Sequence, residues 1–188
     1  MANVNHSTLT DPYLHEPKDI SSAGAGQVYV ADGAGSGDWV EKTRYIGAYI
    51  PFDALTPAYA HAVTTTDTVL NPTFSVAQVN GFVGETTPTA RLKYTGSETI
   101  DAQIVFTISS ANASGTARDC EFALFKNGVE LGGSRTIRSI SAGSWGSISV
   151  FGYTAMATND YLEIKVKGDG AFTLNVASAF MSVTGSAQ

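Results

Sequence analysis

Strict alternation of apolar and polar side chains, recurring roughly every ten residues and never giving way to a helical stripe, limits this chain to a β fold. Leu162, Ile164 and Val166 alternate with Glu163, Lys165 and Lys167, the pattern of a strand with one face in a core and one in water. Ala102, Ile104, Phe106 and Ile108 alternate with Asp101, Gln103, Val105 and Thr107. Phe122 and Leu124 open a further strand that ends at Asn127-Gly128, a dipeptide suited to a tight hairpin because both of its residues tolerate positive φ. Residues 129–140 return, with Gly132-Gly133 as a bend. Ile148 and Val150 alternate with Ser147 and Ser149, Gly168-Asp169-Gly170 makes a turn, and Phe172, Leu174 and Val176 begin a last strand that runs to residue 183. Upstream, residues 45–50 read as a strand ended by Pro51, residues 55–70 as irregular, and residues 74–79 as a strand followed by an Asn80-Gly81 turn. Short strands separated by Gly, Asn and Asp indicate a sandwich or barrel. A length of 188 residues suits one well-buried core and is short for two.

Residues 1–42 differ from the rest. They hold Asp11-Pro12, Glu16-Pro17, a small-residue run at 21–26 and Gly33-Ala34-Gly35-Ser36-Gly37, and their apolar residues follow neither period. Such a segment buries too little surface on its own to offset its ordering entropy. It is expected to be an extended arm, with Leu9, Tyr13, Leu14, Val28, Tyr29, Val30 and Trp39 as anchors laid against a neighbour. A plain flexible tail is the alternative. The chain then divides into an arm, 1–42, and a β-sandwich, 43–188, whose first strands lie in 43–88 and whose core lies in 89–185.

Three strands look apolar on both faces. Ala177, Ala179, Met181 and Val183 alternate against Phe172 and Leu174, Phe151 and Tyr153 against Ile148 and Val150, and Phe125 against Phe122 and Leu124. A strand apolar on both faces is expected to be covered on both. Phe125, Phe151, Tyr153, Ala179, Met181 and Val183 are therefore expected at an interface between copies of the chain, the alternative being scattered surface apolar groups of the ordinary kind. Charged residues make up only 15%, against about a quarter in common globular proteins, and Ser, Thr, Ala and Gly fill the deficit. Small uncharged surfaces suit packing against other subunits.

Reactive chemistry is sparse. A net charge of −6 with no Lys/Arg run argues against nucleic acid as a partner. No stretch approaches the roughly 18 apolar residues of a membrane span, and the first residues lack the basic and apolar regions of a secretion signal, so synthesis in a cytoplasm without membrane attachment is expected. The single cysteine, Cys120, sits beside Asp119 and Glu121, which raise a thiol pKa, and reads as an inert strand residue. His6, His15 and His61 have no second His or Cys at ligand spacing, so neither a metal site nor a cofactor is expected. The glycine run at 33–37 lacks the Lys-Ser/Thr of a phosphate loop. Asp119 and Glu121 share a strand face as solvated carboxylates, and with no nucleophile or zinc-protease motif present no catalytic residues are expected and the chain reads as a non-enzyme. Asn5-His6-Ser7 and Asn112-Ala113-Ser114 match the glycosylation sequon, which means little without a secretion signal. Trp145, on an expected loop at 142–146, is a candidate glycan contact or else a turn residue folded onto the sandwich.

Four pieces carry a family likeness: Ile104-Val105-Phe106-Thr107-Ile108, Phe122-Ala123-Leu124-Phe125-Lys126-Asn127-Gly128, Gly146-Ser147-Ile148-Ser149-Val150 and Asn159-Asp160-Tyr161-Leu162-Glu163-Ile164-Lys165-Val166, closed by the last apolar strand. With them the chain from about residue 98 onward resembles the trimeric jelly roll of C1q-type and tumour-necrosis-factor-type (TNF-type) domains. The resemblance implies an all-β, C1q/TNF-like jelly-roll sandwich preceded by an extended N-terminal arm, and a homotrimer. Residues 6–18 and 28–39 are in turn similar to N-terminal segments of tailed-phage virion proteins, namely small head-fibre or decoration proteins and short tail fibres. That similarity implies a structural protein of the bacteriophage particle surface. Its arm would bind the major capsid protein or another virion protein. The alternative it leaves is a receptor- or glycan-binding tip of a tail fibre.

Overall fold

The computed structural model describes residue 24 and residues 27–31, 37–41, 45–52, 59–71, 78–85 and 91–187. The chain divides between Thr43 and Arg44 into two units. In the first, β1 (Gln27–Ala31) and β2 (Gly37–Glu41) pair as an antiparallel hairpin, with Val28 across from Val40 and Tyr29 across from Trp39. The stretch read as an extended arm therefore contains a strand pair. Alternation did not reveal it, because a two-stranded ribbon has no core of its own against which to alternate.

The second unit is all-β among the described residues. Its strands are β3 (Tyr45–Phe52), β4 (Tyr59–Val63), β5 (Thr68–Val69), β6 (Gln78–Asn80), β7 (Phe82–Glu85), β8 (Arg91–Tyr94), β9 (Ile100–Asn112), β10 (Arg118–Lys126), β11 (Val129–Glu130), β12 (Thr136–Ile140), β13 (Trp145–Met156), β14 (Tyr161–Gly168) and β15 (Phe172–Ala187). One sheet runs β13-β9-β15-β3-β6, with β4 also on β15. The other runs β11-β10-β14-β8-β7, with β12 on β10 and β5 on β14. From β8 onward the chain crosses from the second sheet to the first at β9 and back at β10. It stays there through β12, crosses to β13, returns to β14 and ends on β15. These crossings, with the interlocked orders β3-β15-β9-β13 and β8-β14-β10-β12, make a jelly roll. The expected fold class is the observed one.

Alternation dictates the layers. On β9, Ile100, Ala102, Ile104, Phe106 and Ile108 are buried, and from the facing sheet Phe122, Leu124, Leu162, Ile164 and Val166 meet them in one core. Asn127 and Gly128 take φ of 50° and 80°, as the tight turn after β10 requires. Two readings of the sequence miss strands. Residues 55–70 hold β4 and β5, and β3 continues through Pro51 to Phe52 instead of stopping at the proline.

The last strand brings the largest correction. Phe172, Leu174 and Val176 are buried, and so are Ala179, Met181 and Val183. The pairing of β15 with β9 slips by one residue between Val176 and Ser178, so a bulge at Ala177 inverts the alternation. Ala179, Met181 and Val183 therefore point into the chain's own core and are not interface residues.

Candidate functional site

The two sheets present opposite kinds of outer surface. On the second sheet, register places Glu121 beside Lys167, Ala123 beside Lys165 and Phe125 beside Glu163. Ion pairs lace this surface: Lys167 with Glu121 at 3.2 Å, and Arg135 with Asp67, Glu121 and Glu130. Glu121 and Lys167 are cross-strand neighbours, while Ala123, Phe125 and Glu163 on the same side are buried. Arg135 is held still more firmly in its charged form, chiefly by its hydrogen bonds to Glu130 and Asp67.

The outer face of the first sheet is nearly without charge. Along β13 it carries Trp145, Ser147, Ser149, Phe151, Tyr153 and Ala155, and across from them on β9 stand Ala111, Ser109, Thr107, Val105, Gln103 and Asp101. On β15 the same face continues through Ser178, Phe180, Ser182, Thr184 and Ser186. Among these described residues Asp101 alone is charged. Phe151 is 64% exposed, Tyr153 62% and Trp145 52%, although all three stand on a strand paired along twelve residues. The Tyr153 phenol is raised in pKa by partial desolvation and by the neighbouring Asp101 carboxylate, to which its hydroxyl donates.

β13 is the edge of its sheet, and glycines hold it close to the other layer. A Cβ on Gly152 would stand 2.8 Å from Leu124 Cδ1, and at Gly146 the guanidinium of Arg138 fills the space a Cβ would need. The inward side of the strand is thus packed tight while its outward aromatic row stands bare. Exposed aromatic groups gathered on one strand are a candidate interaction surface. Covering each ring contributes about 2 kcal/mol at roughly 25 cal/mol per Å².

The structure sorts the expected interface residues into three groups. Phe151 and Tyr153 stand together on the uncharged face. Phe125 does not join them: it lies on the outer side of the opposite sheet, only 6% exposed, with Lys165 Nζ 4.3 Å above its ring. It is covered within the chain, which corrects its assignment to the same patch. Ala179, Met181 and Val183 belong to the core. Trp145 is not on a loop but is the first residue of β13, in line with Phe151 and Tyr153. Of the arm anchors, Tyr29 is half-buried and Val30 51% exposed on β1, Val28 and Trp39 lie within the hairpin strands, and Leu9, Tyr13 and Leu14 lie outside the described residues. The sequence reading missed Val105, Phe180 and the serine–threonine columns of β9 and β15. The signal was there in the uncharged outward positions from Gln103 to Ser109.

Other candidate groups have structural explanations. Cys120 is fully buried and its thiol is pushed up to about 12 by burial first and then by Glu121 and Asp169. The Asn112 side chain is buried, donates to the Thr116 carbonyl at 2.7 Å and accepts from the Ser114 amide at 2.8 Å, leaving no access for a glycan at that sequon. Among the described residues no group of three or more His, Cys, Asp or Glu is placed to hold a metal ion.

No protein-family model matches the chain, and no curated protein matches it. Solved structures align over about three quarters of its length. The TNF Eiger from S. frugiperda aligns at 10% identity and a TM-score of 0.45, covering 74% of this chain and 91% of that one. Murine APRIL at pH 5.0 aligns at 11% and 0.45, covering 75% and 98%. The PRD1 vertex protein P5 aligns at 14% and 0.43, covering 76% and 96%. At identities and scores this low the alignments carry no argument about role, and the jelly-roll assignment rests on the strand order itself.

Proposed function

We propose that this chain is a non-enzymatic structural subunit that self-associates as a homotrimer through the uncharged β13-β9-β15 face, and that it serves as a capsid decoration or head-fibre protein on a phage particle. One observation carries the self-association: the chain laces one sheet with ion pairs, whereas on the β13-β9-β15 face Asp101 is the one charged group among the described residues named, and Trp145, Phe151 and Tyr153 stand exposed there. A monomer in water has no use for that asymmetry, whereas sister copies that cover the row gain its burial. The number three rests on the resemblance of residues from about 98 onward to trimeric C1q- and TNF-type domains. The particle location rests on the similarity of residues 6–18 and 28–39 to phage virion segments, whose role here is attachment to the major capsid protein or another virion protein.

A second reading, a glycan- or receptor-binding tip of a tail fibre, is favoured by Trp145. Its indole is half exposed at the start of β13 beside the Ser141–Ser144 turn, and an exposed indole offers a face for stacking. Cryo-electron microscopy of purified particles separates the two readings. Density on the head supports decoration. Density on the tail alone, with glycan-array binding lost in Trp145→Ala, supports the tip, and absence from particles contradicts both.

A further inference from the structure

We infer that His61 is an acid-operated latch that holds the β4–β5 corner, residues 59–71, onto the sandwich and releases it when the imidazole takes a second proton. His61 is 7% exposed on β4, and its backbone stands across from Leu174 of β15. Its Nε2 lies 2.9 Å from Thr68 Oγ1 on β5, and its Nδ1 lies 3.2 Å from the Tyr59 hydroxyl. The ring therefore ties β4, which belongs to one sheet, to β5, which belongs to the other.

Proton counting fixes the state of the ring. Thr68 has one hydroxyl proton, and it goes to the Val166 carbonyl at 3.1 Å. Thr68 Oγ1 must then accept from His61 Nε2–H. A neutral imidazole with its proton on Nε2 has a bare Nδ1, which accepts the Tyr59 hydroxyl proton. Tyr59 in turn accepts the backbone N–H of Asn71. Every donor in the run from Asn71 to Val166 points the same way. A proton added at Nδ1 would turn that nitrogen from acceptor to donor, so the Tyr59 hydroxyl could no longer donate to it. The charged ring keeps its Nε2–H bond to Thr68, but the Tyr59 hydrogen loses its acceptor and a charge is placed in a buried site.

Among the described residues no charged group is paired with the ring. Among the described residues Tyr59 is the titratable group in contact with the ring. β15 presents Leu174, β14 presents the Val166 carbonyl and β5 presents Thr68. Asp67 is bound to Arg135, and Lys165 and Lys167 of β14 pair with Glu163 and Glu121 on the outer face. Burial alone lowers the imidazole's pKa from its ordinary value. A folded-state value below the unfolded one means that the latch holds fully above the ordinary histidine range and loses its grip as pH falls through and below it. Since β4 covers the edge of β15 from Phe172 to Val176, release would bare that edge while the rest of β15 keeps β3 and β9.

The test is hydrogen exchange on the full chain, following amides 59–71 against those of β9 as pH is lowered from neutral to about one unit below the ordinary histidine value. After correction for intrinsic rates, exchange in the corner is expected to rise about tenfold relative to β9. In His61→Gln, whose side-chain amide keeps one donor and one acceptor, the rise is expected to vanish. No rise in the native chain, or an equal rise in His61→Gln, overturns the latch. Should the variant fail to fold, the imidazole resonances of the native chain decide: His61 is expected to stay neutral at the ordinary histidine value, and an ordinary titration of His61 with the corner unchanged contradicts the inference.

Discussion

Phe151 and Val105 stand directly across from each other on the outer side of β13 and β9, and the phenyl ring is left bare by the chain that carries it. Its neighbours in the face are uncharged, so a carboxylate placed there would be desolvated by any partner that covers the row. Phe151→Glu is expected to abolish self-association in size-exclusion chromatography while leaving the β-sheet circular dichroism unchanged. A variant that still associates like the native chain contradicts the assignment of this face.

At Gly152, β13 lies close against the core side chains of the second sheet. A Cβ there meets Leu124 at 2.8 Å and Leu131 at 3.3 Å, and both belong to or pack against the core. Gly152→Val is expected to cost about 1–3 kcal/mol through overpacking and to lower the Tm by about 2–4 °C per kcal/mol, read by thermal melting.

Asp160 ties the turn after β10 to the turn before β14. It accepts from Asn127 Nδ2 at 2.6 Å, from the Ala157 amide at 2.9 Å and from Lys126 Nζ at 3.4 Å. Partial burial by itself would raise this carboxyl, but the bonds from Asn127 and Ala157 and the charge of Lys126 outweigh it and hold the pKa below the ordinary value. The sign follows: the carboxylate's contribution is complete above the unfolded-state pKa and is lost as pH falls through the lower folded-state one. Asp160→Asn is expected to lose about 1–3 kcal/mol in urea unfolding at neutral pH. The gap to the native chain is expected to narrow as the pH drops below the ordinary carboxylate range.

Cys120 is expected to be unreactive in the folded chain. Its thiol is fully buried and pushed up to about 12, so almost no thiolate exists at neutral pH. A thiol reagent added to native protein should modify it only at the rate of unfolding, and quickly in denaturant. Fast modification of the native chain contradicts this placement.

Much of the fold is legible in the sequence because β9 and β14 alternate and each has one face in the core. Leu162, Ile164 and Val166 were sufficient for β14, and Asn127-Gly128 for its turn. What escaped reading has physical causes. Periodicity assumes unbroken register, so the extra residue at Ala177 sent Ala179, Met181 and Val183 to the wrong face. It is also blind to which sheet a strand joins, and for that reason Phe125 was grouped with Phe151 although the two lie on opposite layers. Strands as short as β4 and β5 carry too few alternations to stand out among threonines. Of the candidate site, Phe151, Tyr153 and Trp145 were legible as residues. The contrast between an ion-paired sheet and an uncharged one needed the register of both.

The mass of the native chain in solution tests the central claim most directly. Native mass spectrometry or sedimentation at micromolar concentration is expected to give three times the 19.7 kDa of one chain. A particle of single-chain mass, unchanged as concentration rises, would show that the bare row on β13 has no sister copy to cover it.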